Sequence, residues 1–433
     1  MEPSWDIVFL GVQMSQVVRK SLIVLKWLVL LVPLSIAIGS VSAFFLWSLD
    51  TTTSVRLSHS WLLFLLPLGG FLVGLIYHLY GGAANRGNNL LIDEVHEPGA
   101  GVPRRLAPLI LIGTLLTHLF GGSAGREGTA VQMGGGMAAT YARWLRLDAG
   151  GLRILLMAGV AAGFGSVFGA PVAGTVFALE VLIIGRIQYD ALIPCFAAAL
   201  MADWVAHAWG IHHTSYQVAV ATAAYHTDLI LLGKVILAGG LFGLAGRLFV
   251  ISSHQTSALF KRFLSYPPAR PAVGGVIIII LFFIVGTPDY LGIGTFAHRE
   301  GAITLPAMFT GTDIPASAWI WKLIFTVITL SSGMKGGEVT PLFFIGAALG
   351  NALSSYLGVP VDLMAALGFV AIFAGATNTP LASLLLGAEL FGAGNIIYIA
   401  AACLVAYGFS GHAGIYSSQK FLSSKFQGFA PDK

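Results

Sequence analysis

Apolar residues in this chain run in stretches rather than in alternation, and the stretches fall into two populations. Four, at 21–47, 61–80, 229–251 and 272–287, approach or exceed the length of a membrane-spanning helix. Six others, at 106–120, 129–142, 155–168, 172–184, 341–357 and 381–391, are shorter and interrupted by Gly or Pro. These predict tilted or half-length helices. Broken backbone at bilayer depth is tolerated only where protein or a cavity surrounds it, because lipid offers no partner to a free N–H. The pattern therefore predicts an internal site. Paired short segments in two halves of a chain point to a repeat transporter that holds its substrate at converging helix N-termini, which favour anions. The first twenty residues mix Glu2, Asp6, Arg19 and Lys20 with apolar positions. They predict an interfacial helix and no signal peptide.

Composition fixes the solvent. Hydrophobic residues make up 56% of the chain and charged ones 10%, with a mean hydropathy of +0.84, so this is an integral membrane protein. A charge at mid-bilayer costs about 2.5–3.5 kcal/mol or more, so charged residues away from loops and ends become site candidates. Glycine accounts for 54 of 433 residues, against the usual ~7%, which suits close helix packing. No polybasic patch is present, and nucleic acid is excluded as a partner. Cys195 and Cys403 lie in apolar runs far apart and read as packing residues. His118, His207, His212 and His213 lack metal spacing with a third ligand, and no metal site is expected. Basic clusters at 19–26, 104–105, 261–270 and 420–433 place both ends and a central linker in the cytoplasm. Arg126, Lys322 and Lys335 fit that rule poorly.

One charged motif occurs twice. Gly125-Arg126-Glu127-Gly128-Thr129 returns as Gly336-Gly337-Glu338-Val339-Thr340. A second pair agrees: Pro171 and Pro380 each open Pro-x-Ala, with Glu180 and Glu389 nine positions on. The Glu127/Glu338, Pro171/Pro380 and Glu180/Glu389 offsets differ by no more than two residues, which argues for duplication of one membrane unit. A carboxylate between two glycines at a helix N-terminus can act as a tethered anion and leave when protonated, so Glu127 can couple a proton to an anion. The blander alternative is a buried Glu paired with Arg126, itself read as a mouth or structural group. Glu338 is expected to relay protons or shape the site. Glu180 and Glu389 are expected to bond backbone groups at broken helix ends.

Gly125–Gly128, Gly337-x-x-x-Pro341 and Gly414-Ile-Tyr-Ser-Ser418 resemble, in order and spacing, three anion-pathway motifs of the CLC family of chloride channels and proton-coupled antiporters. The resemblance covers essentially the whole chain. Departures from the chloride pattern are Gly87-Asn88-Asn89 in place of Gly-Ser-Gly, Thr129 in place of a proline, Glu338-Val339-Thr340 before Pro341, and Val181 where exchangers keep an inner acid. Together they resemble the fluoride/proton antiporter branch.

That resemblance implies an all-α polytopic membrane protein of CLC type, with two inverted-topology repeats and broken, tilted helices. The expected division is an N-terminal helix at 1–20, repeats at 21–254 and 272–411 around a linker at 255–271, and a final helix bearing Tyr416 with a tail at 412–433. It further implies a fluoride/proton antiporter that exports fluoride and confers fluoride resistance. Glu127 would gate. Asn88, the Val339 and Thr340 amides and the Tyr416 hydroxyl would bind the anion, and Gly125, Arg126, Gly128, Thr129, Gly337 and Glu338 would support them. The implied partners are fluoride, protons, the bilayer and a second copy in a homodimer. No cofactor is implied, and the implied location is a bacterial-type plasma membrane. No nucleotide-binding domains are expected after residue 433. A chloride/proton exchanger or passive channel is the alternative. A membrane enzyme is disfavoured, because no acid stands at catalytic spacing from a His or Ser nucleophile motif.

Overall fold

The computed structural model describes residues 5–99, 101–214, 216–219, 228–297, 299–311, 314–422 and 425, with side chains from Leu25 onward. Among the described residues the regular elements are all helices but for a two-residue parallel pairing, β1 (Ile183–Ile184) with β2 (Lys420–Phe421). The first half carries α1 (Trp5–Ser58), α2 (Leu66–Tyr80), α3 (Asn88–His96), α4 (Leu106–Leu119), α5 (Glu127–Trp144), α6 (Ala149–Phe168), α7 (Pro171–Glu180) and α8 (Leu192–Ala208). The second carries α9 (Leu229–Phe263), α10 (Ala269–Val285), α11 (Ala318–Ser331), α12 (Val339–Leu357), α13 (Val361–Thr377), α14 (Pro380–Phe391) and α15 (Ile396–Phe409). Among the described residues six helical segments are long and apolar enough to cross a membrane. Shorter apolar helices fill the spaces between them, as the broken runs predict.

The duplication is visible in how helices cross. In α5 and α6, Gly134 and Gly159 meet so closely that a Cβ on Gly134 would lie 2.2 Å from the Gly159 carbonyl oxygen. In α12 and α13 the equivalent pair is Gly346 and Gly368, where either Cβ would lie 2.1 Å from the other residue's oxygen. Small residues here let backbones touch, the packing that drives helix association where lipid is as apolar as Leu. The loops before α5 and α12 pair as an antiparallel bridge: Gly125 N donates to Gly337 O at 2.6 Å, and Gly337 N to Gly125 O at 2.8 Å. Helices α7 and α14 both open on Pro, and each is closed by a glutamate from the other, Glu389 and Glu180 respectively.

Several boundaries differ from the sequence-based expectation. The runs at 155–168 and 341–357 are not half-length: α6 has 20 residues and α12 has 19. Asp148 caps α6 through the Gly151 amide, so helix begins among small residues that an apolar count leaves out. Helices α8, α11, α13 and α15 were not among the ten runs, although each is apolar. Residues 5–20 form no separate element but continue into α1, and residues 1–4 lie outside the described residues. The division at 254 falls inside α9, which runs to Phe263 and packs on α13 and α15 through Gly239, Gly243 and Gly246. The expected linker at 255–271 is thus mostly helix, with only 264–268 between α9 and α10. Nor does Tyr416 sit on a helix: Gly411 turns the chain at φ 76° and residues 411–419 stay irregular. Cys195 and Cys403 are free and fully buried, as packing residues should be.

Candidate functional site

The Gly125–Gly337 bridge sets the N-terminus of α5 against that of α12. Glu127, the first residue of α5, is 1% exposed. Its Oε2 accepts from the Thr340 amide at 3.1 Å, from the Thr340 hydroxyl, and from the Arg126 amide at 3.2 Å. Its Oε1 lies 3.4 Å from Arg126 Nε. The carboxylate therefore pairs with Arg126, as the blander reading expects, and also meets the opposite repeat at Thr340. Val339 and Thr340 are the first two residues of α12, where N–H groups have no intrahelical acceptor. The carboxylate therefore sits where a helix N-terminus offers free N–H groups, an environment that favours negative charge.

Gly128 marks where the other candidates converge. A Cβ there would lie 3.1 Å from Gly337 Cα, 3.3 Å from Asn88 Nδ2 and 3.3 Å from Glu338 Oε2. Asn88 opens α3 after Gly87, whose φ of 54° and ψ of −129° a side chain would strain. Asn88 Oδ1 and Glu338 Oε2 are both shielded from solvent without a hydrogen-bond partner. Lys335 is the cation facing Glu338, and its Nζ lies 4.1 Å from the Tyr77 ring centroid.

Asn88 and Tyr416 line one narrow space of about 20 Å³, walled by Leu91, Phe177, Val181 and other apolar side chains. Tyr416 is held there by its backbone surroundings: Ile415 N donates to Ala376 O at 2.9 Å, and Ser418 N to Asn89 Oδ1 at 2.9 Å. Val181, the position without an acid, is part of this wall. Asn88, Glu127, Glu338 and Thr340 are thus brought together around Gly128, and Asn88 also reaches the space lined by Tyr416. Thr129 is set apart, because its hydroxyl bonds Thr114 of α4 at 2.8 Å in a fully buried contact. It fastens α5 to α4.

Sequence reasoning missed Thr114 and the role of His118, whose Nδ1 faces the Thr114 carbonyl at 2.9 Å and whose Nε2 faces the Ala124 carbonyl at 3.1 Å. That ring braces the loop leading into Gly125. Lys322, left unexplained by the charge rule, is fully buried and donates to the Tyr290 and Gly292 carbonyls at 3.2 and 2.8 Å. It is a loop anchor.

The chain is similar to several known proteins. A family model described as voltage gated chloride channel matches residues 69–411. A chloride/fluoride channel protein of Pseudomonas syringae pv. tomato is 46% identical over 410 residues, covering 94% of this chain and 89% of that protein. The voltage-gated ClC-type chloride channel ClcB of Escherichia coli O9:H4 is 28% identical over 335 residues, 73% of this chain and 74% of its own. Among solved structures, a CLC-type fluoride/proton antiporter superposes with a TM-score of 0.87 at 35% identity, covering 92% of this chain and 98% of that one. A slow cyanobacterial Cl−/H+ antiporter follows with a TM-score of 0.76 at 23% identity, over 90% and 96% of the two chains, a likeness of fold.

Proposed function

The chain belongs to the voltage gated chloride channel (CLC) family, and from that premise we propose that it is a fluoride/proton antiporter which exports fluoride in exchange for inward proton movement. The observation that carries the proposal is the Glu127 carboxylate resting on the Thr340 amide and hydroxyl. A group that occupies an anion's donors when ionised, and releases them when protonated, exchanges one anion for one proton at a single place. Residue Glu127 loads a proton from outside, leaves Thr340, and fluoride from the cytoplasm takes the vacated donors. Arg126 stays on the carboxylate's other oxygen and steadies the docked form.

Fluoride is favoured over chloride as cargo by the donor set. A small, strongly hydrated anion gives up water only for short, strong hydrogen bonds. Thr340 and the Asn88 amide supply such donors around Gly128, and the 35% identical fluoride/proton antiporter and 46% identical chloride/fluoride channel protein point the same way. Thr340 and Val339 bind at the α12 N-terminus, Asn88 and the Tyr416 hydroxyl bind from the narrow space they share, and Glu338 relays protons or shapes the site. Gly125, Gly128 and Gly337 let the two N-termini approach.

The same reading puts the protein in a bacterial plasma membrane with both termini cytoplasmic, as a homodimer joined through apolar faces such as Ile193 and Leu200 of α8, both exposed in the single chain. The test is ion flux from liposomes holding the pure protein, with fluoride and chloride electrodes and internal pH followed together. Fluoride efflux that draws protons the opposite way supports the proposal. Comparable chloride flux would assign the protein to the chloride exchangers or channels instead.

A further inference from the structure

Away from the pathway, three ligand-type side chains meet where α8 ends. Asp203 and His207 stand one helical turn apart, and the chain after α8 folds back to bring His213 against them. One ligand atom from each lies within 4.8 Å of the other two. His207 Nδ1 is 3.4 Å and His213 Nε2 is 3.7 Å from Asp203 Oδ1, and the two imidazole centroids are 5.1 Å apart. Ligands around a tetrahedral zinc ion, bound at about 2.0–2.2 Å, stand roughly 3.4 Å from one another. Two of the three edges are already close to that spacing.

Orientation adds to proximity. Asp203 Oδ1 and His213 Nε2 are both shielded from solvent and have no hydrogen-bond partner. His213 Nε2 is thus left facing Asp203 Oδ1, 3.7 Å away. The ring is further held against Gly169, where a Cβ would lie 2.5 Å from His213 Cδ2. Water reaches the cluster from the His207 side, which is 46% exposed. Exposed Trp204 and Trp209 flank it and mark the membrane–water interface.

We infer that Asp203, His207 and His213 form a binding site for a divalent transition metal of the zinc class, with water completing the coordination. Two imidazoles and one carboxylate form a donor set that suits such ions and discriminates against calcium and magnesium, which take oxygen ligands. His207 Nδ1 lies 3.0 Å from the Asp203 carbonyl, a contact that metal binding at this nitrogen would replace. The ion would fasten the chain at 213 to α8. Three residues on, the Tyr216 ring packs tilted or edge-on against Phe309, Phe369 and Phe391 of the second half, so the fastening reaches across the two halves.

The test uses full-length protein with any affinity tag removed, titrated with zinc against a chromophoric chelator. The expected result is one zinc per chain, at least tenfold weaker binding in His213→Ala and Asp203→Asn, and binding kept in His213→Cys, which retains a ligand. His254→Ala, an exposed histidine of α9, should bind as the unsubstituted protein does. X-ray absorption at the zinc edge should show two imidazoles. No stoichiometric zinc in the unsubstituted protein, undiminished binding in a monodisperse His213→Ala preparation, or a zinc edge without imidazole scattering overturns the inference.

Discussion

Glu180 and Glu389 each close the helix that carries the other. Glu180, the last residue of α7, accepts from the Leu381 and Ala382 amides of α14 at 3.1 and 2.8 Å. Glu389, near the end of α14, accepts from the Val172 and Ala173 amides of α7 at 3.0 and 2.8 Å. Each helix begins on Pro171 or Pro380, which has no N–H, so the two residues that follow are the donors in need of an acceptor. In water such amides would be solvated. Within a membrane protein only another part of the chain can serve, and a carboxylate at a helix N-terminus also meets the favourable end of its dipole.

Replacing either glutamate should therefore loosen the contact between the two halves. A hydrogen bond to a charged group is worth about 1.5–3 kcal/mol, and Glu389→Gln weakens two of them. The expected outcome is a lower unfolding temperature in detergent, read by tryptophan fluorescence. Because both residues act on one interface, Glu180→Gln with Glu389→Gln should cost less than the sum of the single changes. Unchanged unfolding in both single variants would show that the caps carry no stability.

Thr340→Val keeps the α12 amide but removes the hydroxyl that binds Glu127. Losing one charged hydrogen bond predicts anion affinity reduced about ten- to a hundredfold, with a looser ratio of protons to anions. Glu127→Gln should abolish proton movement while leaving the anion donors in place. Proton pumping by Glu127→Gln in the liposome assay would exclude the tethered-anion mechanism.

Adding a methyl group at the repeat-related crossings should separate the helices. Gly346→Ala places a Cβ 2.1 Å from the Gly368 oxygen, and Gly134→Ala places one 2.2 Å from the Gly159 oxygen. Overpacking of this kind costs about 1–3 kcal/mol. Gly233, on α9 with nothing within 4 Å, serves as the control, and Gly233→Ala should match the unsubstituted protein in yield and monodispersity on size exclusion.

Asn88→Leu removes the polar end of the narrow space it shares with Tyr416 and keeps the branched, four-heavy-atom shape of the side chain. Fluoride flux should fall at least tenfold, with unfolding temperature unchanged or raised, because Asn88 Oδ1 has no hydrogen-bond partner to lose. Full flux in this variant would remove Asn88 from the pathway.

Much of this was legible in the residues alone. Apolar runs and scarce charge determined the membrane class, because the cost of charge in lipid leaves few alternatives. The repeated Gly-x-Glu pattern determined that two equivalent helix N-termini exist and that Glu127 heads one of them. Glu180 and Glu389 could be read as caps because Pro-opened helices leave amides in need of acceptors. Linear pattern did not tell which residues those groups would meet. Thr340 lies 213 positions from Glu127, and only the pairing of Gly125 with Gly337 makes them neighbours. Thr129 looks equivalent to Thr340 in the repeat, yet packing turns its hydroxyl to Thr114. His213 shows no metal spacing in sequence and meets Asp203 only because the chain reverses after α8. Local pattern shows the membrane class and the groups that broken helix ends strand; the crossing of helices from the two halves decides which stranded groups meet, because contacts between distant residues depend on packing that no local signal encodes.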